Sequence, residues 1–220
     1  MARPKVPLVS KRATLAAGLR IADEEGLEAL TIRRLATELN INGASLYHHF
    51  HNKDEILAGV AALALEDVRT PSGASQDWRL WLLQNSQAFR EALLAHPSLI
   101  PVLVRRHPLR IGIKEHNATA SLLAVQGVPA GLVLPLLETL EAIALGSVMY
   151  SSAVESDDHA EEWRQEYPHL YHLASQTALD HDETFTLVCR SVIDAFAALA
   201  ESSNGTAPAA AKRRGRLSAK

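Results

Sequence analysis

The sequence predicts an all-α protein in two parts: an N-terminal three-helix helix-turn-helix domain and a larger C-terminal helical domain. Three observations carry that expectation. Apolar residues recur at three-four spacing along most of the chain, and sustained two-residue alternation is missing. The Asn42-Gly43 pair, a hairpin signal in another setting, has helical patterns on both sides. At 220 residues, 47% apolar and 21% charged, the chain has room for one small and one larger helical unit.

Each element has its own signals. Ser10 caps a first helix to about residue 25, with Leu15, Leu19 and Ala22 along one face and Gly26 stopping it. Thr31 caps a second, with Ile32, Leu35 and Leu39 inward, ending near Asn40. Three residues of turn (Asn40, Ile41, Asn42) lead into a third helix of about seven residues. Asn52 with Glu55 resembles a capping box for a fourth, through about Asp67. Pro71, Ser72, Gly73 and Ser75 then break the pattern.

Beyond the break, helices are expected at about 76–95, 98–104, 109–126, 129–153, somewhere within 159–178, and 182–200. Pro97, Pro101, Pro108, Pro129 and Pro168 fall near their starts, where a missing amide costs least, and Pro135 falls inside one. The organisation is thus a basic arm (1–10), a helix-turn-helix domain (11–53), a connecting helix (54–70), a sensing and dimerisation domain (71–201) and a basic, disordered tail (202–220).

The net charge of −3 divides unevenly: residues 1–53 carry +3, residues 54–201 carry −11 and residues 202–220 carry +5. Positive ends around an acidic middle suit a protein that meets phosphate with one part only. The single cysteine, Cys189, sits among Val188, Val192 and Phe196 and is expected as a buried free thiol. No apolar run approaches the roughly 20 residues of a membrane span, so no membrane partner is expected and the cytoplasm is the expected location. Neither a Gly-rich phosphate loop, a nucleophile elbow nor a paired-carboxylate motif is present, and no catalysis or cofactor is expected. The histidine pairs His48/His51 and His169/His172 lack the further ligands that a structural metal needs.

The stretch Asn40–Phe50, NINGASLYHHF, is where chemistry concentrates. Ile41, Leu46 and Phe50 fall inward against Leu35 and Leu39, leaving Asn42, Gly43, Ala44, Ser45, Tyr47, His48 and His49 toward solvent. Small residues at the front admit the helix to a DNA major groove, and polar rings behind suit phosphate and sugar contacts. Arg33 and Arg34 are placed to reach the same groove, and Lys53 opens the fourth helix, where free amides favour an anion.

From Leu15 to Leu57 the chain resembles the tetracycline-repressor (TetR) family of bacterial transcription regulators, through IADEEGLEALTIRRLATELNI and ASLYHHFHNKDEIL. The resemblance implies an all-α homodimer with two DNA-binding heads and ligand-sensing bodies. It implies base contacts from Arg33 and from residues among Asn42, Gly43, Ala44 and Ser45, and phosphate contacts from Thr31, Tyr47, His49 and Lys53. His48 stands where tetracycline-responsive members have tryptophan.

The run DWRLWLLQNSQAFREALLAHP, with Pro108, Gly127 and Gly146, is similar to the sensor domain of those same members. Asn85 and Phe89 match drug-contacting positions. The magnesium-drug chemistry does not transfer. Leu103 replaces the histidine that holds the drug-chelated metal, Arg106 replaces a threonine, and Tyr150 replaces a carboxylate reaching in from the partner subunit. Leucine offers a hard cation no lone pair.

Spacing and resemblance together give Trp81, Asn85, Phe89, Leu103, His116 and Thr119 as ligand-site candidates, with His116 or Arg106 available to a carboxylate on the guest. The dimer face is expected from Val133, Leu137, Leu140 and Ala144 with Phe185, Val188, Val192, Phe196 and Leu199, the alternative being that these faces only close the monomer's core. The expected function is a homodimeric repressor released from a palindromic operator by a small molecule other than magnesium-tetracycline. The alternative is a DNA-binding regulator without a small-molecule effector, controlled by a protein partner. A sensor interior filled by Trp81 and Phe89 would favour that alternative.

Overall fold

The computed structural model describes residues 10–68, 77–106, 111–154, 164–174, 176 and 178–205, and among these every regular element is helical. Helix α1 (Lys11–Glu25) begins where the Ser10 hydroxyl accepts the Ala13 amide proton at 3.1 Å. It ends at Gly26, whose φ of 86° suits a residue without a Cβ. A 3₁₀ turn (Leu27–Ala29) leads to α2 (Ile32–Glu38), capped by Thr31 Oγ1 on the Arg34 amide at 3.0 Å. Asn40, at φ 51°, makes the left-handed step that reverses the chain.

Helix α3 (Gly43–Leu46) is shorter than the seven residues expected. Beyond Leu46 the backbone tightens, with amides of Tyr47, His48 and His49 donating three residues back. Helix α4 (Lys53–Ala64) starts on Asn52 Oδ1, which accepts the Glu55 amide proton at 2.8 Å, and Glu55 returns a bond to the His51 amide. Its last turn loosens over 65–67, so the regular helix stops short of Asp67. Leu35, Leu46, Phe50, Ile56 and Val60 form the core of this head. Each such side chain contributes about 1.5–3 kcal/mol when fully buried. Helices α1 and α4 cross closely enough to need glycine on both sides. A Cβ on Gly18 would lie 2.9 Å from Val60, and one on Gly59 would lie 2.7 Å from Leu15.

The body contains α5 (Trp78–Ala95), a 3₁₀ turn (Pro97–Leu99), α6 (Ile100–Arg106), α7 (Ile113–Val125), α8 (Ala130–Val154), α9 (Pro168–Ala174) and α10 (His181–Gly205). Helices α5, α8 and α10 pack on one another, and α7 lies against α8. Buried Arg90 on α5 ties the three together. Its Nε donates to Ser147 Oγ at 2.9 Å, its Nη1 meets Asp182 at 2.6 Å, and its guanidinium lies 5.2 Å from the Phe185 ring centre. Cys189 is buried, and desolvation pushes its thiol up to about 11.

Three expectations need correction. Val133, Leu137, Leu140 and Ala144, assigned by spacing to a dimer face, are buried in the chain's own core, as is Phe185. Helix α10 runs to Gly205, into the segment expected to be disordered, whereas the KRRGR run, the Pro71–Ser75 break and Pro108 lie outside the described residues. The span Ala130–Ser151, 22 residues with mean hydropathy 1.7, is long and apolar enough to cross a membrane by length and composition. Glu138 and Glu141 interrupt the apolar run in sequence without lowering its average enough to matter. Only 33% of its most apolar window is buried, so much of an apolar helix is left uncovered.

Candidate functional site: nucleic-acid face and ligand cavity

The α2–turn–α3 unit presents a compact polar face. Asn42 Oδ1 accepts the Ala44 amide proton at 3.0 Å and fixes the start of α3, while Leu46 and Phe50 anchor its other side in the core. Asn42, Ala44, Ser45 and His48 are exposed, and Tyr47 stands 56% exposed. Gly43 is half-buried because it packs against Ile32 and Ala36, and His49 is half-buried edge-on to Phe50. Thr31 is exposed at the start of α2.

The ion pairs sort the cations. Lys11 pairs with Glu55, Arg12 with Glu66, Arg20 with Glu38, and Arg34 with both Glu25 at 2.5 Å and Glu38 at 2.9 Å. Arg34 is therefore a strut between α2 and the end of α1, not a free partner for the groove. Its hydrogen bonds to Glu25 and then Glu38 raise its pKa further. Arg33 and Lys53 are exposed and make no ion pair among the described residues. Small side chains, a protruding tyrosine and Arg33 on the capped α2–turn–α3 unit, with Lys53 at the start of α4, can lie along a phosphate backbone and reach base edges.

The body holds a cavity of about 330 Å³. Its walls come from Ala62, Leu65, Glu66 and Val68 at the end of α4, from Leu82, Asn85, Ser86 and Phe89 on α5, from residues 111–116 and Thr119 at α7, and from Leu137, Leu140 and Glu141 on α8. Of the candidates, Asn85, Phe89, His116 and Thr119 lie on its wall. Trp81 and Leu103 are not on it: both are buried core, Leu103 at 1% exposure. Arg106 lies in a neighbouring cleft between α4 and α6, paired with Asp54 at 2.9 Å. Tyr150, 66% exposed near the end of α8, is also off the cavity, edge-on to His181. An open cavity beside Phe89 removes the ground for an interior filled by aromatics.

His116 is fully engaged. Nδ1 faces the Gly112 carbonyl at 2.6 Å and Nε2 faces the Glu141 carboxylate. Burial opposes protonation, but the bonds to Glu141 and Gly112 outweigh it and raise the pKa above 6.5. Glu141 escaped sequence reasoning because a glutamate in LETLEA looks like a solvated charge. Glu66 escaped it because α4 was assigned only as a connector.

An all-helical chain with a helix-turn-helix head and a hollow body is built as a ligand-binding transcription regulator. Residues 15–60 match the model for "Bacterial regulatory proteins, tetR family". The Escherichia coli class C tetracycline repressor is 30% identical over 151 residues, covering 68% of this chain and 69% of that one. The class A repressor from transposon 1721 in the same organism is 32% identical, and the match spans 66% of its length and 64% of this chain. Apo ActR from Streptomyces coelicolor superposes with a TM-score of 0.74 at 29% identity, covering 92% of this chain and 99% of that one, and ActR has also been solved with actinorhodin (TM-score 0.72, covering 87% and 98%). The chain belongs to the tetR family of bacterial regulatory proteins.

Proposed function

We propose that this protein is a homodimeric repressor that leaves a palindromic operator when a small molecule enters the cavity. The observation that carries the proposal is the two-ended role of α4. Its first residue, Lys53, is exposed next to the α2–turn–α3 unit, and Ala62 in its last turn joins Leu65, Glu66 and Val68, just beyond its end, in one wall of the cavity. Twelve residues at about 1.5 Å each separate these ends by about 18 Å of one rigid element. A guest that displaces the wall moves the head with it.

Several contacts would transmit that motion. Glu66, on the cavity wall, pairs with Arg12 on α1 at 2.7 Å. Asp54 pairs with Arg106 on α6, and His96 meets Asp23 at 2.9 Å. Two heads must engage half-sites about 34–36 Å apart, so a modest twist takes them out of register. The guest must bind the released form more tightly by several kcal/mol to empty a well-held operator, since only differential affinity shifts the balance.

Dimerisation is supported by what the single chain leaves uncovered: Leu134 (52% exposed) and Met149 on α8, with Leu187 (52%), Val188 and Leu199 on α10. Two copies of this pair make a four-helix interface about a twofold axis. Effector identity is supported from two directions. ActR is a relative with actinorhodin bound, which favours a bulky organic guest. Leu103 offers no ligand to a metal and lies off the cavity wall, which disfavours magnesium-tetracycline.

The test is a nuclease footprint over the DNA upstream of the protein's own gene. Protection of an inverted repeat, lifted by a small molecule, is expected. A dimer that protects no inverted repeat there defeats the proposal.

A further inference from the structure

Helix α5 turns Leu82, Asn85, Ser86 and Phe89 toward the cavity, the three-four spacing of a single helical face. Ser86 lies in the middle of that stripe. It is 6% exposed, yet its hydroxyl makes no hydrogen bond among the described residues. Other helical hydroxyls of this chain behave differently. Thr119, Ser121, Thr139, Ser151 and Ser191 each donate to the carbonyl four residues back in their own helix. Nor is the Ser86 oxygen sealed inside protein: the sealed, unpartnered hydroxyl among the described residues belongs to Ser98. A buried hydroxyl that is neither bonded nor sealed opens on the void beside it, and the void beside Ser86 is the cavity.

The cavity wall divides by depth. Glu66, Lys114 and Glu115 are exposed, and Asn85, His116 and Glu141 are half-buried. The fully buried part consists of Leu82, Phe89, Leu137 and Leu140 with two hydroxyls, Ser86 and Thr119. Thr119 has spent its proton on the Glu115 carbonyl at 3.0 Å, and Ser86 has not. This apolar floor therefore holds one unspent side-chain donor. A guest that displaces water from the Ser86 hydroxyl without replacing its bond leaves that hydroxyl stranded. We propose that Ser86 Oγ donates a hydrogen bond to an acceptor oxygen, such as that of a ketone, at the buried end of a bulky apolar effector, and that this bond selects such molecules over analogues lacking the oxygen. The inference deepens the repressor reading and rests on the cavity being the effector site.

Two neutral fluorescent probes on one skeleton test it on the full chain: propionyl-dimethylaminonaphthalene, which carries a ketone, and its propyl analogue, which does not. Each is titrated into the wild type, into Ser86→Ala and into Thr119→Trp, which fills the cavity. Ala62→Trp, intruding from an exposed wall position, replaces the filled variant if that one does not fold. Binding lost on filling is binding in the cavity. Ser86→Ala should weaken cavity binding of the ketone about three- to tenfold and move the propyl probe less than about twofold. The infrared carbonyl stretch of the bound ketone, lowered by the hydrogen bond in the wild type, should rise in Ser86→Ala, a change that a purely structural hydroxyl would not produce. The urea midpoint of Ser86→Ala should be no lower than that of the wild type, because the hydroxyl holds nothing within the fold. An equal response of both probes, an unmoved stretch or a lowered midpoint overturns the role of Ser86 and leaves the cavity a binding site. If neither probe gives a signal sensitive to filling, the cavity itself is not the effector site and the inference falls with it.

Discussion

The head and the body use polar side chains in opposite ways. In the head, most cations are neutralised by neighbouring helices, and Arg33 and Lys53 stand out through exposure and the lack of an ion pair among the described residues. In the body, the informative polar groups face inward: Arg90 locks three helices and His116–Glu141 closes a cavity wall. A surface that meets a polyanion works through charges left uncommitted, whereas an interior that holds a guest works through charges already satisfied. The net charge of a segment therefore says less than the pairing of each charge within it.

This contrast can be broken by substitution. Arg90→Ala should have the largest effect, about 2–3 kcal/mol off the unfolding free energy in a urea titration, because it removes a buried stem packed between three helices and the bond to Ser147. A loss below about 0.5 kcal/mol would place the lock elsewhere. Arg33→Ala should cost about 1–3 kcal/mol on the operator and relax discrimination at one position in each half-site, with the urea midpoint unchanged. Lys53→Ala should weaken all duplexes alike, lowering the salt slope of binding by about 1 per head; an unchanged slope removes Lys53 from the phosphate contacts. The smallest effect should come from His116→Gln. Its raised pKa means the wild type holds that stabilisation fully below pH 6.5 and loses it as pH climbs through the folded value. The variant's melting temperature should lack this alkaline decline.

Legibility followed the same divide. Ser10, Thr31 and Asn52 could be read as caps because a cap and its amide lie within three residues, and Leu46 and Phe50 could be read as anchors from one turn's spacing. Arg34 could not be placed, since Glu25 reaches it across the loop between α1 and α2. Asn85, Phe89, His116 and Thr119 line the cavity, whereas Trp81 and Leu103, drawn from the same reading, are buried in solid core. Periodicity marks the buried side of a helix without saying whether that side meets protein or empty space. The dimer stripe failed for a related reason: α8 is apolar all round, so spacing could not tell the half facing α5 and α10 from the half left uncovered.

Glu66 serves two masters, the cavity on one side and Arg12 of α1 on the other. Coupling free energy is reciprocal, so whatever alters the carboxylate's hold on one neighbour is felt by the other. Mutational drift toward a new inducer at this corner would carry a change in operator occupancy along with it. Specificity for the chemical signal and the basal level of the regulated gene would then evolve as a single trait.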